Sequence, residues 1–181
     1  MPTYIALLRA VNVGNNMLKM ERLRALWTEL GFQNVRTYVQ SGNVVFQAKG
    51  AAASWQAKAI AKLAGETRLP VAVLFRTPAE LHRVLAGNPF LKEKGIDLAR
   101  LHVSFLSEKP SAEAWKKLSA IDPGADRFHR ADREIYLYCP VGYGTSKLSN
   151  ARLEKVLGVT ATTRNWNTVS KLCAMSAEET G

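Results

Sequence analysis

Apolar positions along this chain follow two rhythms, every second residue or every third to fourth, and the two rhythms take turns. Tyr4 to Arg9 is a short apolar run that reads as a strand. A Gly- and Asn-rich loop follows, and then Met20, Leu23, Leu26, Trp27 and Leu30 fall on one helical face, with Gly31 as the stop. Val35, Thr37 and Val39 alternate with polar neighbours over 34–40, a second strand. Gln40-Ser41-Gly42-Asn43 is turn chemistry, and Val44 to Gln47 returns as a third strand. Trp55, Ala59, Ile60 and Leu63 stripe a helix over 51–64, and Val71 to Arg76 is a fourth strand. Residues 78–86, opened by Pro78, form one more helix before Gly87.

Residues 88–100 read as a linker, and the pattern then recurs. Leu101 to Leu106 is a strand, Pro110-Ser111 opens a helix, and 128–130 with 135–139 make a second hairpin. A helix over 146–157 stops at Gly158, Val159 to Thr162 supplies a short strand, and a last helix runs from Asn165. Both halves thus read β-α-β-β-α-β, which predicts an α+β tandem of two ferredoxin-like units with appended helices. The first spans 1–87 and the second 101–181. In such a unit the two helices cover one sheet face, yet Ile5 to Leu8 and Val71 to Phe75 are apolar on both. The second face therefore needs a cover: the other unit, an appended helix, or a second subunit in a homo-oligomer.

With 181 residues, 47% of them apolar and 22% charged, the chain can bury a sizeable core and is not a disordered sequence. No apolar run approaches a bilayer span and no secretory signal opens the chain, so a cytoplasmic protein with no membrane partner is expected. Cys139 and Cys173 lie far apart with no C-x-x-C, as expected of buried apolar residues rather than a disulfide or a metal site. The net charge of +10 is uneven: residues 1–100 carry 14 Lys and Arg against 6 Asp and Glu, and residues 101–181 carry 11 against 9. An excess of this kind draws phosphate-bearing partners, nucleotide or nucleic acid, and equally serves solubility.

Polar clusters fall at the ends of the elements. Arg9 closes the first strand beside Asn12, Gly14, Asn15 and Asn16, and Lys19 opens the following helix, where the helix dipole disfavours a cation unless an anion visits. Gly142-Tyr143-Gly144-Thr145-Ser146-Lys147 lies between strand and helix, the setting of a phosphate nest. It is not G-x-x-x-x-G-K-S/T, and a Gly-rich connection with Ser146 as N-cap explains it equally well. In Thr162-Thr163-Arg164-Asn165-Trp166-Asn167-Thr168, Thr163 can cap the last helix. Arg164 in its first turn would then need a carboxylate or an anion, and Trp166 belongs to the core. His82, His102 and His129 are isolated, Ser41 lacks a G-x-S-x-G elbow, and the aromatic RNA-binding strand is missing. No metal, cofactor or nucleophile is therefore indicated.

The same stretches carry a family resemblance. Ala6-Leu7-Leu8-Arg9 with Val11-Asn12-Val13-Gly14, then Thr37-Tyr38-Val39-Gln40-Ser41-Gly42-Asn43-Val44-Val45-Phe46, then Tyr143-Gly144 with Ser146-Lys147-Leu148, then Ala161 to Thr168, resemble a bacterial domain-of-unknown-function family, number 1697. That family opens with A-L-L-R-G-I-N-V-G-G and closes with T-T-R-N-W-N-T. The resemblance implies a tandem of ferredoxin-like units and carries over no catalytic residue. Ala10 and Asn15 depart from its glycines, and Asn15 makes close backbone approach harder there.

The reading that follows is a basic site for a phosphate-bearing ligand, gathering Arg9, Asn12, Gly14, Gln40, Ser41, Asn43, Tyr143, Lys147, Arg164 and Asn167. Arg9, Lys147 and Arg164 would supply charge, and the amides and Ser41 orientation. Two alternatives compete with it. One is an enzyme acting on a small anionic metabolite, with Tyr143 or Lys147 as acid or base. In the other, the motifs are purely structural, satisfying buried backbone groups at the seam between the units.

Overall fold

A computed structural model describes residues 1–9, 17–39 and 42–178. The chain divides into two compact units, Met1–His82 with Lys171–Gly181, and Arg83–Ser170.

The first unit runs β1 (Thr3–Arg9), α1 (Met20–Glu29), β2 (Gln33–Tyr38), β3 (Asn43–Gln47), α2 (Ala52–Thr67) and β4 (Ala72–Arg76), followed by α3 (Pro78–Ala86), whose residues from Arg83 on belong to the second unit. Its sheet has the order β2-β3-β1-β4 with every neighbouring pair antiparallel. Successive side chains of a strand leave opposite faces. Ala6 and Leu8 accordingly join Val44 and Phe46 under Leu23, Leu26, Trp27, Trp55, Ala59 and Leu63 of the helices. Phe46 is fully buried at the centre of this layer, its ring 4.8 to 6.3 Å from those of Tyr4, Trp27, Phe32, Trp55 and Phe75. Ile5, Leu7 and Val45 leave the other face and are fully buried too. Arg36, in register with Val45, points to that face, and its guanidinium donates to the Met175 carbonyl and, at 2.9 Å, to the Glu178 carboxylate. Residues of the last helix thus reach the face that the two packed helices leave uncovered.

The second unit repeats the order with β5 (Leu101–Leu106), α4 (Ala112–Ser119), β6 (Arg127–Arg130), β7 (Glu134–Tyr138), α5 (Asn150–Leu157) and β8 (Ala161–Asn165), followed by α6 (Trp166–Ala177), whose residues from Lys171 on belong to the first unit. Its sheet order is β6-β7-β5-β8, again antiparallel throughout. Leu106, Ile135, Leu137 and Ala161 pack under Trp115, Leu118, Leu153 and Leu157. On the opposite face the Tyr136 hydroxyl donates to the Val84 carbonyl at 2.9 Å. There the fully buried Phe90 packs against His129 and Tyr138 with ring centroids 4.7 and 5.9 Å away, and the Arg127 guanidinium lies over it. Residues 88–100 hold two short 3-10 turns, Pro89–Lys92 and Leu98–Arg100, each opened by an Asn or Asp side chain that caps a backbone N–H.

The central strand of each sheet meets its two neighbours in matching register, whereas β2–β3 carries a register shift between Gln33 and Arg36 that β6–β7 lacks. Ile5 pairs with Val45 and Arg76, as Val103 pairs with Tyr136 and Arg164. The equivalent arginines behave alike: Arg76 and Arg164 are both buried, and each donates from Nη1 to the carbonyl of the preceding residue at 3.0 Å. A helix opens directly after each. Thr77 and Glu80 form a reciprocal capping box at α3, and the Asn165 side chain accepts the Thr168 N–H at 2.8 Å at α6.

Several boundaries differ from the sequence reading by a few residues, such as α2, which runs to Thr67, and two of the differences have a clear physical reason. The helix expected over 146–157 begins at Asn150, because Ser149 and not Ser146 supplies the N-cap. Ser146 is engaged elsewhere, donating to Asp126 Oδ2 at 2.6 Å and accepting the Leu148 N–H. Thr163 does not cap the last helix: pairing of His102 with Asn165 keeps the chain extended through 165, so Arg164 is a strand residue rather than the first turn of a helix. Among the described residues no helix is long and apolar enough to cross a membrane.

Candidate functional site

In the first unit the end of β1 lies beside Gly42 and the start of β3. The Leu8 N–H donates to the Gly42 carbonyl at 2.9 Å, and Leu7 is in register with Asn43. Gly42 has φ +78, and a Cβ there would lie 2.8 Å from Leu8 Cβ, so the close approach needs a glycine. Arg9 and Asn43 leave the sheet on the face away from α1 and α2, the face that also carries Arg36 and Arg76. Arg9 is half-buried, while Asn43 is fully buried and donates to the Tyr38 carbonyl at 2.9 Å. Asn12, Gly14, Gln40 and Ser41 lie outside the described residues. Lys19 is the exposed N-cap residue of α1 and makes no side-chain capping bond.

In the second unit the two later motifs also meet. Tyr143, in a 3-10 turn over Tyr143–Thr145, donates to Thr163 Oγ1 at 3.1 Å. The Thr163 hydroxyl donates to Asn150 Oδ1 at 2.7 Å and lies 2.7 Å from Ser104 Oγ. One donor and two acceptor positions are all a hydroxyl has, so that of Thr163 is saturated. The His102 ring stacks on Tyr143 with centroids 5.1 Å apart, and burial lowers its pKa, which favours the neutral imidazole.

The remaining candidates lie apart from this cluster. Arg164 follows Thr163 in an extended strand, so its side chain leaves the opposite face, where Nη1 also donates to Thr162 Oγ1 at 2.7 Å. Lys147 is exposed and lies against Gly124, its Cε and Nζ 3.6 Å from where a Gly124 Cβ would stand. Asn167 is exposed in the first turn of α6. Within this unit the motifs therefore bring Tyr143 to Thr163 and send Arg164 to the other side of the sheet.

Four polar residues of the second unit escaped sequence reasoning as site members: His102, Ser104, Asp126 and Asn150. Ser104 alone left a signal, a hydroxyl inside the apolar run Leu101-His102-Val103-Ser104-Phe105-Leu106. The others become visible only through partners distant in the chain. Cys139 is fully buried, and burial, helped by the Asp126 charge, pushes its thiol from 9.0 to about 11, far from the range of a nucleophile at neutral pH. Replacing Thr163 with the near-isosteric valine should leave the Tyr143 and Ser104 hydroxyls short of a partner, at a cost of about 1–3 kcal/mol in denaturant-induced unfolding.

A solved structure, described as conserved bacterial protein SP0830 from Streptococcus pneumoniae, shares this fold. It is 22% identical, with a TM-score of 0.74 over 98% of this chain and 99% of that one. No curated protein matches the chain. The model of the family described as "Protein of unknown function (DUF1697)" matches residues 1–136, from the first strand through most of β7. The chain belongs to that family.

Proposed function

We propose that this chain binds a phosphate-bearing ligand, a nucleotide or nucleic acid, at the end of the first sheet where β1 and the β2–β3 turn run together. The observation that supports this reading is the Leu8–Gly42 hydrogen bond, which brings the end of β1, at Arg9, beside the start of β3. Arg9 supplies charge, and Asn12, Gly14, Gln40 and Ser41 supply amides and a hydroxyl to orient the phosphate. The excess of Lys and Arg over residues 1–100 supports it by favouring anions around this half. Each unit is read as ferredoxin-like, which the order β2-β3-β1-β4 and its repeat in β6-β7-β5-β8 support.

A thermal-shift screen of nucleotides, sugar phosphates and short oligonucleotides tests the proposal. At least one of them should raise the melting temperature of the wild type, and Arg9→Ala should lose most of that rise. If the ligand is nucleic acid, affinity should also fall steeply with added salt. No shift with any of the three classes at low ionic strength would end the reading.

A second reading holds for the later motifs. In the second unit Tyr143, Thr163 and Arg164 serve the fold. The saturated Thr163 hydroxyl and the burial of Arg164, 7% exposed and bonded to Thr162 and Thr163, favour this role.

A further inference from the structure

The duplication supplies an internal control. In the first unit the outer seam between the two packed helices is closed by opposite charges. Arg22 of α1 bonds Glu66 of α2 at 2.7 Å, and Glu29 of α1 bonds both Arg22, at 3.1 Å, and Lys62 of α2, at 2.8 Å. The same seam in the second unit, between α4 and α5, is a cleft of about 720 Å³ lined by Lys117, Ile121, Ser149, Ala151, Arg152, Lys155 and Val156. Three cations line it and no carboxylate does. Lys117 pairs with Glu113 of its own helix at 3.5 Å, while Arg152 and Lys155 have no ion pair among the described residues. Opposite charges at neighbouring helix positions stabilise an exposed seam, as in the first unit, whereas like charges repel.

We infer that this cleft is a binding site for a nucleoside monophosphate. Its volume is that of a small-molecule pocket. Arg152 and Lys155 stand one helical turn apart on α5 and face Lys117 of α4, a set that suits the two charges and the oxygens of a phosphate monoester. Ile121, Ala151 and Val156, with the aliphatic stems of the cations, offer the apolar surface on which a base can lie. The site shares no residue with the one proposed above and does not depend on Arg9.

The test is calorimetric titration of the full chain with adenosine 5′-monophosphate at low ionic strength. Wild type, Arg9→Ala and a charge control, Lys92→Glu with Lys94→Glu, should bind alike. Arg152→Glu with Lys155→Glu should bind at least tenfold more weakly at an unchanged melting temperature, since both side chains are exposed. Adenosine without its phosphate should also bind at least tenfold more weakly.

Several results would overturn the inference. They are no binding, affinity untouched by the reversal at 152 and 155, an equal loss in the Lys92 and Lys94 control, adenosine as good as the monophosphate, or binding confined to an oligonucleotide such as decathymidylate. Loss in Arg9→Ala alone would overturn it too, while leaving the first-unit site standing.

Discussion

Phe46→Ala is expected to remove about 3–5 kcal/mol of stability, the range for truncating a fully buried aromatic. Five aromatic rings surround Phe46, so neighbouring side chains cannot collapse into the space without giving up their own ring contacts. For a chain of this size that corresponds to a fall in melting temperature of roughly 6–20 °C. Phe46→Leu keeps most of the volume and should cost about 1 kcal/mol. Denaturant titrations of the two variants measure the difference. Similar losses for both would mean that the aromatic layer does not hold the first unit together.

Gly42→Ala should be nearly as damaging, for a different reason. The backbone sits at φ +78, where a Cβ is strained, and the new methyl would come within 2.8 Å of Leu8 Cβ on the central strand. Positive-φ strain of about 1 kcal/mol adds to about 1–3 kcal/mol for overpacking a filled site. Because both terms act where the two first-unit motifs touch, the variant should also weaken whatever binding Arg9 supports. A stability loss below about 1 kcal/mol would mean that the turn can shift freely past β1.

Much of the architecture was legible in the sequence because the apolar periods are local. The strand at 101–106 and the helix at 78–86 stand in the structure with the boundaries their patterns indicate. Where local pattern misled, a distant partner decided. Ser146 looks like an N-cap from its neighbours, but Asp126, twenty residues away, takes its hydroxyl and delays the helix to Asn150. Thr163 looks like a cap in the same way, yet pairing with β5 holds that segment extended.

The kinship of Arg76 and Arg164 was invisible for a related reason. One is followed by Thr-Pro and the other by Asn-Trp, and only the shared register reveals that they are the same position twice. The candidate site was legible as residue types at element ends. Sequence could not tell that Thr163 and Arg164 leave opposite faces, because the strand that carries both was read as a helix start.

The most direct test of the functional account is a two-dimensional amide NMR titration of the whole chain with inorganic phosphate. The account predicts saturable shifts at the backbone amides of Leu8, Arg9, Gly42 and Asn43, absent in Arg9→Ala. Amides that stay still at those four positions while phosphate moves others, or moves none, would contradict it.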